Sequence, residues 1–144
     1  MQNHSMDQEL AKAVQLRDRI LEAFRERFPD QPVQTLEDKP LNIFIPAKHP
    51  ETGGIELEVE DEDALIVFID KFTHTHFDGF TTEQGDRFLD ETLDFLADVF
   101  ADRVTFYGNP KEGGGWWYPE FHDAAEPLPP EPHFLWSGPV NLKS

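Results

Sequence analysis

Cysteine is absent from the sequence. Disulfides, thiolate catalysis, Cys-ligated zinc and iron–sulfur clusters are therefore excluded, and a reducing, cytoplasmic setting is expected. No apolar run approaches about 18 residues, so no membrane-spanning helix is expected. The opening "MQNHSMDQEL" has neither a basic n-region nor an apolar h-region, so no signal peptide is expected. Bases are scarce: 12 Lys and Arg stand against 29 Asp and Glu, a net charge of −17. Such a field opposes phosphate backbones and anionic lipid, which argues against direct nucleic-acid or membrane binding. It favours a basic protein partner and speeds encounters with one. The plainer reading is that an acidic surface only keeps the protein soluble.

Aromatics are not scarce. Thirteen of the 144 residues are Phe, which sets the chain apart from disordered acidic tails. The length fits one domain, residues 1–144, large enough to bury a core without staples. Its Pro-rich stretch at 124–132 is expected to run extended.

Residues 7–28 predict a helix. Leu10, Val14, Arg17, Leu21, Phe24 and Phe28 recur at spacings of three and four, with Ala13 and Ile20 beside them. Ser5 or Asp7 is a candidate N-cap and Pro29 a stop. Five acids and five bases make this segment neutral, so the negative charge lies elsewhere in the chain. "LNIFI" at 41–45 predicts a strand. "IELEVE" at 55–60 alternates strictly, which sends Ile55, Leu57 and Val59 one way and Glu56, Glu58 and Glu60 the other. "DED" at 61–63 turns the chain into "ALIVFID", whose unbroken apolar run predicts an antiparallel partner strand covered on both faces.

A second helix is expected to open at Thr81, with Thr81-x-x-Gln84 as a capping box. Phe88, Leu89, Thr92, Leu93, Leu96, Val99 and Phe100 form its apolar stripe. Seven acids, Asp94 and Asp98 among them, oppose the single base Arg87 and make the other side anionic. "RVTFYG" predicts a strand, "NPKEGGG" a turn, "WWYPEF" a partner strand and "HFLWSGPV" a last edge strand. The order α-β-β-β-α-β-β points to an α+β two-layer sandwich, a mostly antiparallel sheet of five or six strands with two helices on one face.

Three features are candidate sites. The acids of the strand and of the second helix, Glu56, Glu58, Glu60, Asp94 and Asp98, would steer a basic partner. Trp116 and Trp117 are neighbours that face opposite ways on a strand; one is expected to be exposed and to anchor the interface. The third is "THTHFD". If the strand from Ala64 continues past residue 72, His74, His76 and Asp78 share one face, and two imidazoles with a carboxylate can hold zinc or another divalent metal. A bound water would then make this a small metal-dependent hydrolase. The plainer alternative is a polar strand end entering a loop. His49, His122 and His133 lie in loops and are more often structural than functional there.

His-x-His resembles the metal motif at the end of the first barrel strand in metal-dependent amidohydrolases, but that barrel takes about 250 residues. It also resembles the cupin motif, in which a Glu is expected a few residues downstream. Gly79, Phe80 and Thr81 stand there instead. No GxGxxG, GxxxxGK[ST] or G-x-S-x-G pattern occurs, and "EVEDEDA" lacks the glycine and closing glutamate of an EF-hand. Residues 64–100, strand "ALIVFIDKF" then "THTHFD" then a helix, resemble small bacterial proteins of unknown function. Some of these are similar to immunity proteins of toxin systems. That resemblance implies a non-enzymatic binder. The polarised acidic surface, the aromatics expected to be exposed and the lack of a catalytic constellation point to a protein that neutralises a basic partner, with no cofactor and no catalytic residue expected.

Overall fold

The structure, a computed structural model, describes residues 4–70, 73–109, 113–123, 125–129 and 132–140. It is an α+β fold in which two helices accompany two antiparallel sheets. Helix α1 is His4–Arg27. The first sheet is a meander of β1 (Gln34–Thr35), β2 (Asn42–Ile45), β3 (Ile55–Val59), β4 (Ala64–Ile69) and β5 (Thr73–Asp78), each paired with its sequence neighbour. Helix α2, Gly85–Phe100, follows. The second sheet comprises β6 (Thr105–Asn109), β7 (Gly113–Trp117), β8 (His133–Leu135) and β9 (Gly138–Val140), in the order β7-β6-β8-β9. Strand β5 lies beside β7, where the two sheets meet.

Alternation builds the first sheet. Ile55, Leu57 and Val59 of β3 are buried, as are Leu65, Val67 and Ile69 of β4 and Ile43 and Ile45 of β2. Both helices lie on this side: α1 against β2 and β3, α2 against β5. Rings close the gap between the helices, with Phe28 5.1 Å and Phe24 6.1 Å from Phe100, edge to face. Trp136, in the turn between β8 and β9, packs at a tilt on Phe100 at 5.3 Å and is buried. One core thus reaches from α1 into the second sheet.

Several expectations are corrected. Helix α1 starts at His4, so Ser5 and Asp7 lie inside its first turn rather than at a cap. Its buried stripe is Ala13, Leu16, Ile20, Leu21 and Phe24, while Leu10 is exposed. The segment carries two apolar seams, and packing against β2 and β3 selects the one through Leu16. Strand β4 is covered on one face only: Ala64, Ile66 and Phe68 are half-buried on the other. "THTHFD" does not continue β4. The chain reverses at Asp70, in the left-handed region at φ 44°, and β5 runs back along β4 from Ile69↔Thr73 to Ala64↔Asp78. The glycines of "NPKEGGG" belong to β7 itself. Without a side chain at Gly115 the Tyr107 ring lies across that strand; a Cβ there would sit 2.6 Å from the Tyr107 hydroxyl.

Helix α2 opens at Gly85, not Thr81, and Gln84 caps it without a side-chain bond. Thr81 is bound elsewhere. Asp63, in the β3–β4 turn, accepts hydrogen bonds from the Thr81 N–H and hydroxyl, both at 2.8 Å, and from the Gly79 N–H at 3.1 Å. One carboxylate therefore ties the β3–β4 turn to the loop that enters α2. The Thr81 N–H, then its hydroxyl, hold the Asp63 carboxyl below the usual 3.8. Replacing Asp63 by alanine is expected to lower stability at neutral pH by about 1–2 kcal/mol, read by urea unfolding. A depressed carboxyl stabilises above its unfolded pKa, and the gain disappears as pH falls through the folded value. The two proteins should therefore converge in acid. Identical unfolding midpoints at neutral pH would remove Asp63 from this role.

Candidate protein-binding face

The side of the first sheet away from the helices carries the acids expected to meet a partner. Register places Phe44, Glu56, Phe68 and His74 in one cross-strand row. The next row is Asn42, Glu58, Ile66 and His76. Asp78 pairs with Ala64 one row further on. The acid ladder and the histidine ladder, read from sequence as separate sites, thus share one face with β4 between them. The apolar residues of that face are Phe44, Ile66 and Phe68; the two on β4, Ile66 and Phe68, escaped sequence reading because that strand read as covered on both sides.

Local bonds set the acids apart from one another. Glu56 accepts hydrogen bonds from Asn42 and Lys39, the latter at 3.4 Å. Glu60, just past β3, stands 3.8 Å from the His76 imidazole. Among the described residues Glu58 has no ion-pair partner, although it is half-buried. Shallow depressions run across the face. One of about 430 Å³ lies among Phe44, Gly54, Glu56, Glu58, Phe68 and Asp70. The next, about 680 Å³, shares Lys39 and Glu58 with it and reaches Ile66 and Glu60. A third, about 490 Å³, continues from Glu60 to Asp63 and to Glu9 and Leu10 of α1.

The two histidines are exposed. Their rings are 5.1 Å apart, edge to face, and His74 leans on Phe68 at 5.6 Å. His74, His76 and Asp78 do alternate onto one face, as the metal reading requires. Among the described residues, however, no three His, Asp or Glu gather closely enough to hold a metal ion. The other histidines serve loops. His49 accepts from the Glu51 N–H, His122 bonds the Glu126 carbonyl, and buried His133 bonds the Pro129 carbonyl at 2.8 Å.

Both neighbouring tryptophans are half-buried, so neither stands out from the surface. Trp116 packs on Phe95 at 5.0 Å and on Tyr118 at 5.7 Å. Trp117 packs on Tyr107 and His133 on the other side of β7. Four of the five acids of α2 are engaged within the chain; Asp90 has no ion-pair partner among the described residues. Asp94 pairs with Arg27 at 2.6 Å and Asp86 with Arg19 at 2.8 Å. Asp98 pairs with Arg103 and accepts the Tyr118 hydroxyl at 2.8 Å.

Set against models of protein families, characterised proteins and solved structures, the chain matches none. Among the described residues no helix is long and apolar enough to cross a membrane.

The Tyr118–Asp98 bond has a consequence that titration reads. Burial, then the bond to Asp98, pushes the Tyr118 phenol up to about 12. A group whose folded pKa is raised stabilises fully below its unfolded value, here 10.0, and that gain is lost as pH rises through the folded value. Tyr118→Phe should lower stability near neutrality by about 1–2 kcal/mol and remove the phenolate step near pH 12 from an absorbance titration. A step near pH 12 persisting in the variant would reassign the raised group.

Proposed function

We propose that the protein is a non-enzymatic interaction module for a basic protein partner, acting as an immunity-like inhibitor of that partner in the cytoplasm. The observation that carries this reading is the uncovered face of the first sheet. There Glu56 and Glu58 lie on the central strand β3, between half-buried Phe44 of β2 and half-buried Ile66 and Phe68 of β4, with Glu60 and Asp78 at one end. Antiparallel sheets commonly leave one face to water and make it polar. Here apolar side chains flank an acidic ladder, so an arginine or lysine docked there meets carboxylates at its head and apolar surface along its stem. The net charge of −17 supplies long-range attraction to a cationic surface, and the apolar flanks supply contact once docked. The inhibitory role is suggested by the pattern of residues 64–100, which resembles small bacterial proteins of unknown function, some of them similar to immunity proteins.

A display selection from a random-peptide library tests the reading. The baits are the native protein and a variant with Glu56→Lys, Glu58→Lys and Glu60→Lys. Arg- and Lys-rich sequences should be enriched on the native protein, lost on the variant and weakened by salt. Neutral or acidic sequences enriched equally on both would overturn it.

A further inference from the structure

We propose that the open sheet face takes an extended segment of its partner, laid along β3, with arginines at alternate positions. The inference rests on the basic-partner reading and specifies its ligand. Glu56 and Glu58 are alternate residues of β3, repeating about every 6.8 Å, and Glu60 follows just past its end, where its N–H still bonds the Ala64 carbonyl at 2.9 Å. An extended peptide has the same two-residue repeat, so its residues i, i+2 and i+4 stay in step with the three carboxylates. Contiguous arginines on an extended chain point alternately towards and away from the face and lose that match.

The depressions supply the seats. At one end Phe44 and Phe68 flank Glu56, and Glu58 and Asp70 line the same hollow. A guanidinium there lies on a ring face and meets carboxylates at its edge, the combination that favours arginine over lysine. Gly54 lets the Phe44 ring settle at the edge of this hollow: a Cβ there would lie 2.8 Å from the ring. Seats continue past Ile66 to Glu60 and end at the acids of the β3–β4 turn. Asp61 and Glu62 lie in that turn, where Lys12 pairs with Glu62 at 3.6 Å.

The rival acidic surface, on α2, is largely compensated, Asp90 alone of its five acids having no ion-pair partner among the described residues. Asp86, Glu91, Asp94 and Asp98 each have an arginine of this chain within 3.4 Å. On the sheet face Glu58 has no ion-pair partner among the described residues, and Glu60 faces a histidine. Lys39, paired with Glu56 at 3.4 Å, occupies the ground an incoming arginine would take and competes with it.

Fluorescence anisotropy with synthetic peptides tests this. One peptide alternates arginine with threonine, a second has the same composition with its arginines contiguous, and a third alternates lysine with threonine. Each is titrated into the native protein, Glu58→Lys, Lys39→Ala and an α2 variant, Asp90→Lys/Asp94→Lys, at about 0.05 M and about 0.3 M salt. The alternating arginine peptide should bind about tenfold tighter than the contiguous one, and tighter than the lysine peptide. Glu58→Lys should weaken it about tenfold, Lys39→Ala should tighten it, and the α2 variant should leave it unchanged. The gain from Lys39→Ala cannot come from misfolding. Equal affinity for alternating and contiguous arginines would overturn the inference. Loss on the α2 variant, with Glu58→Lys neutral, would also overturn it while leaving the basic-partner reading intact. No binding of any basic peptide to any form would sink both.

Discussion

Ile55, Leu57 and Val59 lie under the helices while Glu56 and Glu58, between them in sequence, face away. Most other features follow from that alternation. A slip of one residue in the pairing of β3 would drive two carboxylates into the core and lift three aliphatic side chains out of it. An unpaired buried carboxylate costs several kcal/mol or more, so the strand has one register. With β3 fixed, β2 and β4 are fixed on either side, and β5 through β4. The same residues that hold the sheet to its helices therefore present the acid ladder on the other side.

Charge is distributed by the same geometry. Bases on α1 reach the acids of α2, with Arg19 and Arg27 spanning the two helices. Exposed pairs of this kind add little stability, but they offset part of the charge of α2, whose acids outnumber its single base Arg87. The sheet side has Lys39 and little else to offset its carboxylates. An approaching cation is thus drawn to the face where carboxylates and apolar side chains lie side by side.

Local periodicity was readable from the amino acids. The β3 alternation, the turn at 61–63, its antiparallel partner and the stripe of α2 through Leu89, Thr92, Leu93, Leu96 and Val99 all stand as their spacing predicts. What was not readable depends on distant partners or on unusual backbone. The reversal before "THTHFD" uses an aspartate at positive φ, where glycine or Asn-Gly would have signalled a hairpin. The capping box at Thr81 loses to a carboxylate 18 residues away. β1 has two residues and no pattern. Trp136 is buried in a turn, where neither helical nor strand periodicity flags a core position. Of the site, the acids were legible one strand at a time. Their union with His74, His76 and the half-buried rings of β2 and β4 needed the register.

The meander order of the first sheet also bears on how the chain reaches this state. Every pairing from β1 to β5 joins strands that are neighbours in sequence, so the sheet can zip up hairpin by hairpin, with little loop entropy lost at each step. The second sheet lacks that ease, because β6 must wait for β8 across the long Pro-rich connection. Closure of the β8–β9 hairpin brings Trp136 onto Phe100 and completes the core. On this topology the acidic face assembles early and the seal on the core late. A nascent chain would therefore display its proposed docking surface before its own interior is finished.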